Sequence, residues 1–94
     1  MTEILLDITP FEEKISLHSY LKDLLGFPFY YGANLDALYD ELASIGQPVQ
    51  ITLVYHDHPI TGHERYIPRM VEVFEAAARN NYNIRLTVKE AQRK

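Results

Sequence analysis

Three short apolar runs limit how this chain can fold: "EILLDI" at residues 3–8, "PVQITLVY" at 48–55 and "NIRLTV" at 83–88. Each has the length of a strand, and the second is rich in β-branched and aromatic side chains. No connection between them is short enough for a hairpin. The intervening stretches carry apolar residues at helical spacing instead, so the strands must pair in parallel through right-handed crossovers. The expectation is an α/β fold of two layers, a three-stranded parallel sheet packed with three to four helices, in which the first two strands read as buried.

The helices follow from caps and periodicity. Leu17, Tyr20, Leu21, Leu24 and Leu25 recur after Ser16, read as an N-cap, and Gly26 with Pro28 ends that pattern. Asn34 caps a second helix whose stripe is Leu35, Leu38, Leu42 and Ile45. Ile67, Met70, Val71, Phe74, Ala77 and Ala78 mark a third. Its first turn tolerates Pro68, and Asn81 at its end is expected in the left-handed conformation. Gln47–Pro48 is expected as a tight, cis entry to the second strand, and "KEAQRK" as a charged, frayed tail. Among single residues, His18 is expected to be an exposed or capping-region side chain, Tyr20 and Tyr82 to pack, and Phe27 to join the core, with Phe29 open between core and contact.

A chain of 94 residues supports one modest core, so a single domain over 1–94 is expected. Its 47% hydrophobic content argues against intrinsic disorder. Thirteen acidic against nine basic residues, a net charge of -4, make nucleic acid a poor partner. There is no cysteine, which removes disulfides and thiolate chemistry. Neither a signal-peptide pattern nor a stretch of membrane-spanning length is visible. The expectation is a cytoplasmic protein with no membrane partner, monomeric when free.

The stretch "FPFYYGANLDALYDEL", Phe27 to Leu42, carries the chemistry. At about 100° per residue, Asp36 and Asp40 lie about 40° apart, away from the leucine stripe, with Ala43 on the same face and Tyr39 at its border. Like charges at this spacing cost roughly 0.2–0.5 kcal/mol, which the helix dipole offsets well for Asp36 alone. Folding does not ask for Asp40. The plain reading is a solvated helix face. The sharper one is a docking surface, because Tyr30 and Tyr31 beside Gly32 combine with Asp36, Tyr39, Asp40 and Glu41 to set aromatic anchors among concentrated negative charge. Such a face suits a basic cleft. Gly32 reads as a backbone requirement for the turn into the helix.

An enzyme would need a nucleophile with its base, paired carboxylates in a pocket, or a metal. The loop "HDHPITGHE" holds His56, Asp57, His58, His63 and Glu64, a set of possible zinc ligands whose spacing matches no helical two-histidine motif. It reads as a polar loop, and neither metal nor cofactor is expected.

The run of a proline, two tyrosines, Gly32, one variable residue, then Asn34-Leu35-Asp36-Ala37-Leu38, an aromatic residue and Asp40 resembles the signature of the barstar family of ribonuclease inhibitors. The likeness is strong from Leu17 to Leu42 and continues through Pro48, Val73, Phe74 and the last strand. It implies the fold reached above and inhibition by plugging the active site of a small, basic, extracellular-type ribonuclease. By the resemblance, Tyr30 would stack at the nuclease's catalytic imidazole and Asp40 would occupy the substrate phosphate position against arginines. Asp36 and Tyr39 would engage a guanidine-binding loop, with Ala33 and Asn34 adding backbone contacts. The chain departs from the family at Tyr39, where Trp is frequent, and at Ala43, where a hydroxyl residue can stand. It departs again at Ala76, where an acidic partner-facing residue is expected; Glu72 and Glu75 are nearby. A binding module for a different basic partner, without nuclease inhibition, is the alternative.

Overall fold

The computed structural model describes residues 1–91. In chain order it contains β1 (Thr2–Asp7), α1 (Lys14–Leu25), α2 (Leu35–Ala43), β2 (Val49–Tyr55), α3 (Tyr66–Asn80) and β3 (Ile84–Glu90). The strands form one sheet in the order β1-β2-β3, parallel throughout. This is the three-stranded α/β arrangement that the three apolar runs demand, with three helices.

Register explains which side chains build the core. Ile4 pairs with Ile51 and Ile51 with Leu86, while Leu6 pairs with Leu53 and Leu53 with Val88. These rows share one face of the pleat, where they join Leu17 and Leu21 of α1, Leu38 and Leu42 of α2, and Ile67, Met70 and Phe74 of α3. Phe74 is 1% exposed; truncating so large a buried ring to alanine typically costs about 3–5 kcal/mol.

The opposite face is open. Glu3, Leu5 and Asp7 lie there beside Gln50, Thr52 and Val54, then Arg85, Thr87 and Lys89, and Leu5 is 61% exposed. The first two strands are therefore half-buried rather than covered on both sides, because both crossovers place their helices on the same face. On the free edge of β1, the Asp7 N–H donates to the Tyr20 hydroxyl at 2.9 Å, so a side chain from α1 satisfies a backbone group the sheet leaves unpaired.

Several local expectations are corrected. α1 begins at Lys14 after Glu13, and the Ser16 hydroxyl donates back to the Glu13 carbonyl instead of capping the helix. At its other end Gly26 adopts φ 71°, and both its N–H and that of Phe27 reach the Lys22 carbonyl, the αL termination expected of glycine. Leu24 is exposed. α2 stops at Ala43, short of Ile45. Asn81 is extended, with φ -135°, because its side chain is committed elsewhere, as described below. Gln47–Pro48 is trans, the isomer X–Pro bonds ordinarily prefer. Tyr82 is 95% exposed rather than packed. Lys89 and Glu90 continue β3, and the end of the expected tail lies outside the described residues.

Candidate functional site

The residues from Phe27 to Ala43 form a turn followed by α2, in which some side chains point inward and others are exposed. A turn closes where the Tyr31 N–H donates to the Pro28 carbonyl at 3.0 Å. Its two tyrosines then part. Tyr30 is 72% exposed, with its ring 5.6 Å from that of exposed Phe29. Tyr31 turns inward, its ring 4.8 Å from buried Phe27 and its hydroxyl 2.6 Å from His18 Nδ1.

Gly32 and Ala33 carry the chain into α2. Gly32 does not hold the left-handed conformation; Ala33 does, with φ 53°. What Gly32 supplies is space, since a Cβ there would stand 3.3 Å from the Ala37 methyl and 3.4 Å from Asn34 Nδ2. Asn34 then caps the helix, its Oδ1 accepting from the Ala37 N–H at 2.7 Å while its Nδ2 donates to the Gly32 carbonyl at 3.3 Å.

α2 divides its residues as the stripe requires: Leu38 and Leu42 are buried, Leu35 is half-buried, and Asp36, Asp40 and Ala43 are exposed. Tyr39 is half-buried at the seam with α3, where its hydroxyl accepts from Asn80 Nδ2 at 3.2 Å. The same Asn80 amide donates to the Ala76 carbonyl at 3.0 Å, which brings Ala76 alongside Tyr39. Glu72 is exposed one turn earlier on α3. The outward face therefore offers an aromatic ring and two carboxylates with nothing basic in the last turn of the helix.

Over residues 1–90 the chain matches the family model described as Barstar (barnase inhibitor). The chain belongs to the barstar family. It is 38% identical over 78 residues to "Putative ribonuclease inhibitor YrdF" of Bacillus subtilis (strain 168), a match covering 82% of this chain and 86% of that protein. As a barstar-family member it is a non-catalytic protein.

Two sets of anchors behind the barstar-like face were not anticipated. His18 is 1% exposed, not at the surface, and its second ring nitrogen lies 2.6 Å from the Tyr66 hydroxyl. Its helical spacing to Leu21 and Leu25 was the available signal. Burial, with a smaller effect of Lys14, lowers its pKa from 6.5 to about 4. Burial likewise raises Tyr31 strongly, helped by Tyr66 and Glu41, and raises Tyr66 to about 12. The second anchor is Asn81, whose Nδ2 donates to the Leu42 and Ile45 carbonyls at 3.0 Å each and whose Oδ1 accepts from the Asn83 N–H at 3.0 Å. It ties the end of α2 to the start of β3.

The histidine loop is organised by the backbone. His58 is 6% exposed, with Nδ1 2.9 Å from the His56 carbonyl and Nε2 2.5 Å from that of Phe11. His63 packs against Tyr66 with the rings tilted by 51°, centroids 5.2 Å apart. Among the described residues, no group of three or more His, Asp or Glu side chains is arranged to hold a metal ion, nor is any helix long and apolar enough to cross a membrane.

Proposed function

We propose that this chain inhibits a small, basic, extracellular-type ribonuclease by occupying its active site with the face built from residues 30–43. Support comes from membership of the barstar family together with one observation: Tyr30, in the turn before α2, and Asp36 and Asp40, on α2, are all exposed. In this reading Tyr30 covers the catalytic imidazole, and Asp40 presents carboxylate oxygens to an arginine fork in the place of a substrate phosphate. Asp36 and Tyr39 engage the neighbouring basic loop, while Tyr31, Gly32, Ala33 and Asn34 set the approach of the backbone. The chain works as one domain over residues 1–94, as a free monomer in the cytoplasm of the producing cell, until it meets the nuclease. Glu72 and Ala43 complete the rim.

Ala76 favours a second reading. It sits beside Tyr39 without a charge, where the family resemblance leads one to expect an acid. A basic partner other than a barnase-type nuclease would fit that difference, with binding but no nuclease inhibition.

Titration against a panel of small basic ribonucleases, scored by activity and by binding, separates the two. For the inhibited enzyme, Asp40→Ala should weaken binding by several kcal/mol, as removal of one partner from a buried charge pair does, and Tyr30→Ala by roughly tenfold or more. Both variants should melt within about 0.5 kcal/mol of the parent, as exposed substitutions usually do. Inhibition that survives both changes intact would rule out this docking mode.

A further inference from the structure

We infer that Phe29 is a second aromatic contact of the docking surface, and that the partner it fits carries an apolar ledge beside its basic cleft. The inference rests on the docking reading above and adds to it one residue and the chemistry of the partner's rim.

The bond from the Tyr31 N–H to the Pro28 carbonyl makes Phe29 and Tyr30 the two central residues of a tight turn. Turns of this kind favour Gly, Pro, Asn, Asp and Ser, each for a backbone reason. A phenylalanine at its tip serves no such need. The residues on either side already anchor the turn, with Phe27 buried and its ring 4.8 Å from that of Tyr31. Phe29 itself is 87% exposed, so the core gains almost nothing from it. A lone exposed apolar side chain is common on proteins and asks for no explanation. This one is not alone. The Tyr30 ring, exposed as well, lies 5.6 Å away with its plane crossed at 83°.

That geometry limits how the pair is used. With planes crossed at 83°, the two rings cannot enter one stacked column, and a flat group lying on Tyr30 leaves Phe29 to meet a different wall. With centroids 5.6 Å apart, a surface that covers Tyr30 also comes within contact range of Phe29. Phe29 brings neither charge nor a hydrogen-bonding group. The exposed carboxylates of Asp36 and Asp40 answer the cations of a basic cleft; what Phe29 adds is apolar area taken out of water. A partner that gains from it has an apolar surface at the edge of that cleft.

The test uses the full chain and whichever member of a panel of small basic ribonucleases, barnase among them, the parent inhibits most strongly. Phe29→Ala should weaken binding roughly tenfold, as loss of an aromatic anchor does, mainly through faster dissociation. Melting temperature and the salt dependence of association should stay as in the parent. Phe29→Leu, which keeps apolar bulk without the ring, should recover most of the loss. Phe29→Glu should bind more weakly than the parent even though it adds an acid to a chain that meets a basic cleft. In a Tyr30→Ala background, Phe29→Ala should still weaken binding, because a direct contact acts independently of the neighbouring ring. Unchanged binding in Phe29→Ala, tighter binding in Phe29→Glu, no recovery in Phe29→Leu, or a loss that vanishes without Tyr30 would each overturn the inference. An Asp40→Ala control distinguishes the levels. If it binds like the parent, or if the parent binds no member of the panel, the docking reading has failed and this inference with it; if it is weakened while Phe29→Ala is not, the ledge alone is lost.

Discussion

His18 carries a cost that varies with pH. In the native chain its pKa falls from 6.5 to about 4, chiefly through burial. The unfolded chain therefore holds a proton that the native chain lacks across that interval. Stability is full above about pH 6.5 and is lost as the pH drops towards 4, by a total on the order of 3 kcal/mol. Tyr31 and Tyr66 act at the other extreme: their raised pKa values mean that the native state keeps protons the unfolded state releases, so stability falls as the pH rises above about 10. Urea titrations at a series of pH values should show both flanks, and His18→Gln should flatten the acidic one relative to the parent. The sequence offered this residue on a helical face with Leu21 and Leu25. What it did not offer was Tyr66, the partner that makes a buried histidine acceptable, because that contact joins residues far apart in the chain.

At the scale of elements, the ends are held by side chains that periodicity does not reveal. α2 is only nine residues long, too short to be stable alone. Its start is fixed by Asn34, legible as a cap from its position before the leucine stripe, and its finish by Asn81, which was read as a helix terminator for α3. Both roles use an asparagine amide, but only the first is local in sequence. Asn81→Ala should remove the Nδ2 bonds to the Leu42 and Ile45 carbonyls, which keep the Ile45 N–H and the Asn83 amide as donors, and should take from the Asn83 N–H its acceptor, destabilising the chain by about 1–3 kcal/mol, measured by denaturant unfolding. Asn34→Ala should cost nearer 1 kcal/mol. The helix boundaries misjudged by a few residues, at Ser16 and Ile45, are places where the apolar pattern outruns the hydrogen-bonded helix.

For the molecule as a whole, the sheet and its parallel pairing were legible because three strand-like runs separated by helical stretches leave few alternatives. The outward division of Asp36 and Asp40 from Leu38 and Leu42 was legible from the helical period of about 100° per residue. The open face of the sheet was not, since Leu5 and Val54 make the strands look more apolar than a one-sided sheet needs. A chain of net charge -4 bearing a carboxylate face should approach a basic partner faster than diffusion alone predicts. Its association rate should fall on the order of tenfold or more between low and high salt, with a smaller change in dissociation. Stopped-flow measurements against the inhibited nuclease would show it, and a salt-independent rate would count against an acidic docking face.

Apart from Glu72 on the rim, the proposed docking residues lie between positions 29 and 43, while several groups that hold that segment in place come later: Tyr66 behind His18, Asn80 on the Tyr39 hydroxyl, Asn81 at the end of α2. On a ribosome, the recognition segment thus emerges well before the residues that give it shape. A nascent chain stopped after β2 would display residues 29–43 and still lack the contacts that shape them, so the proposed docking could begin only once α3 and the turn beyond it had been made.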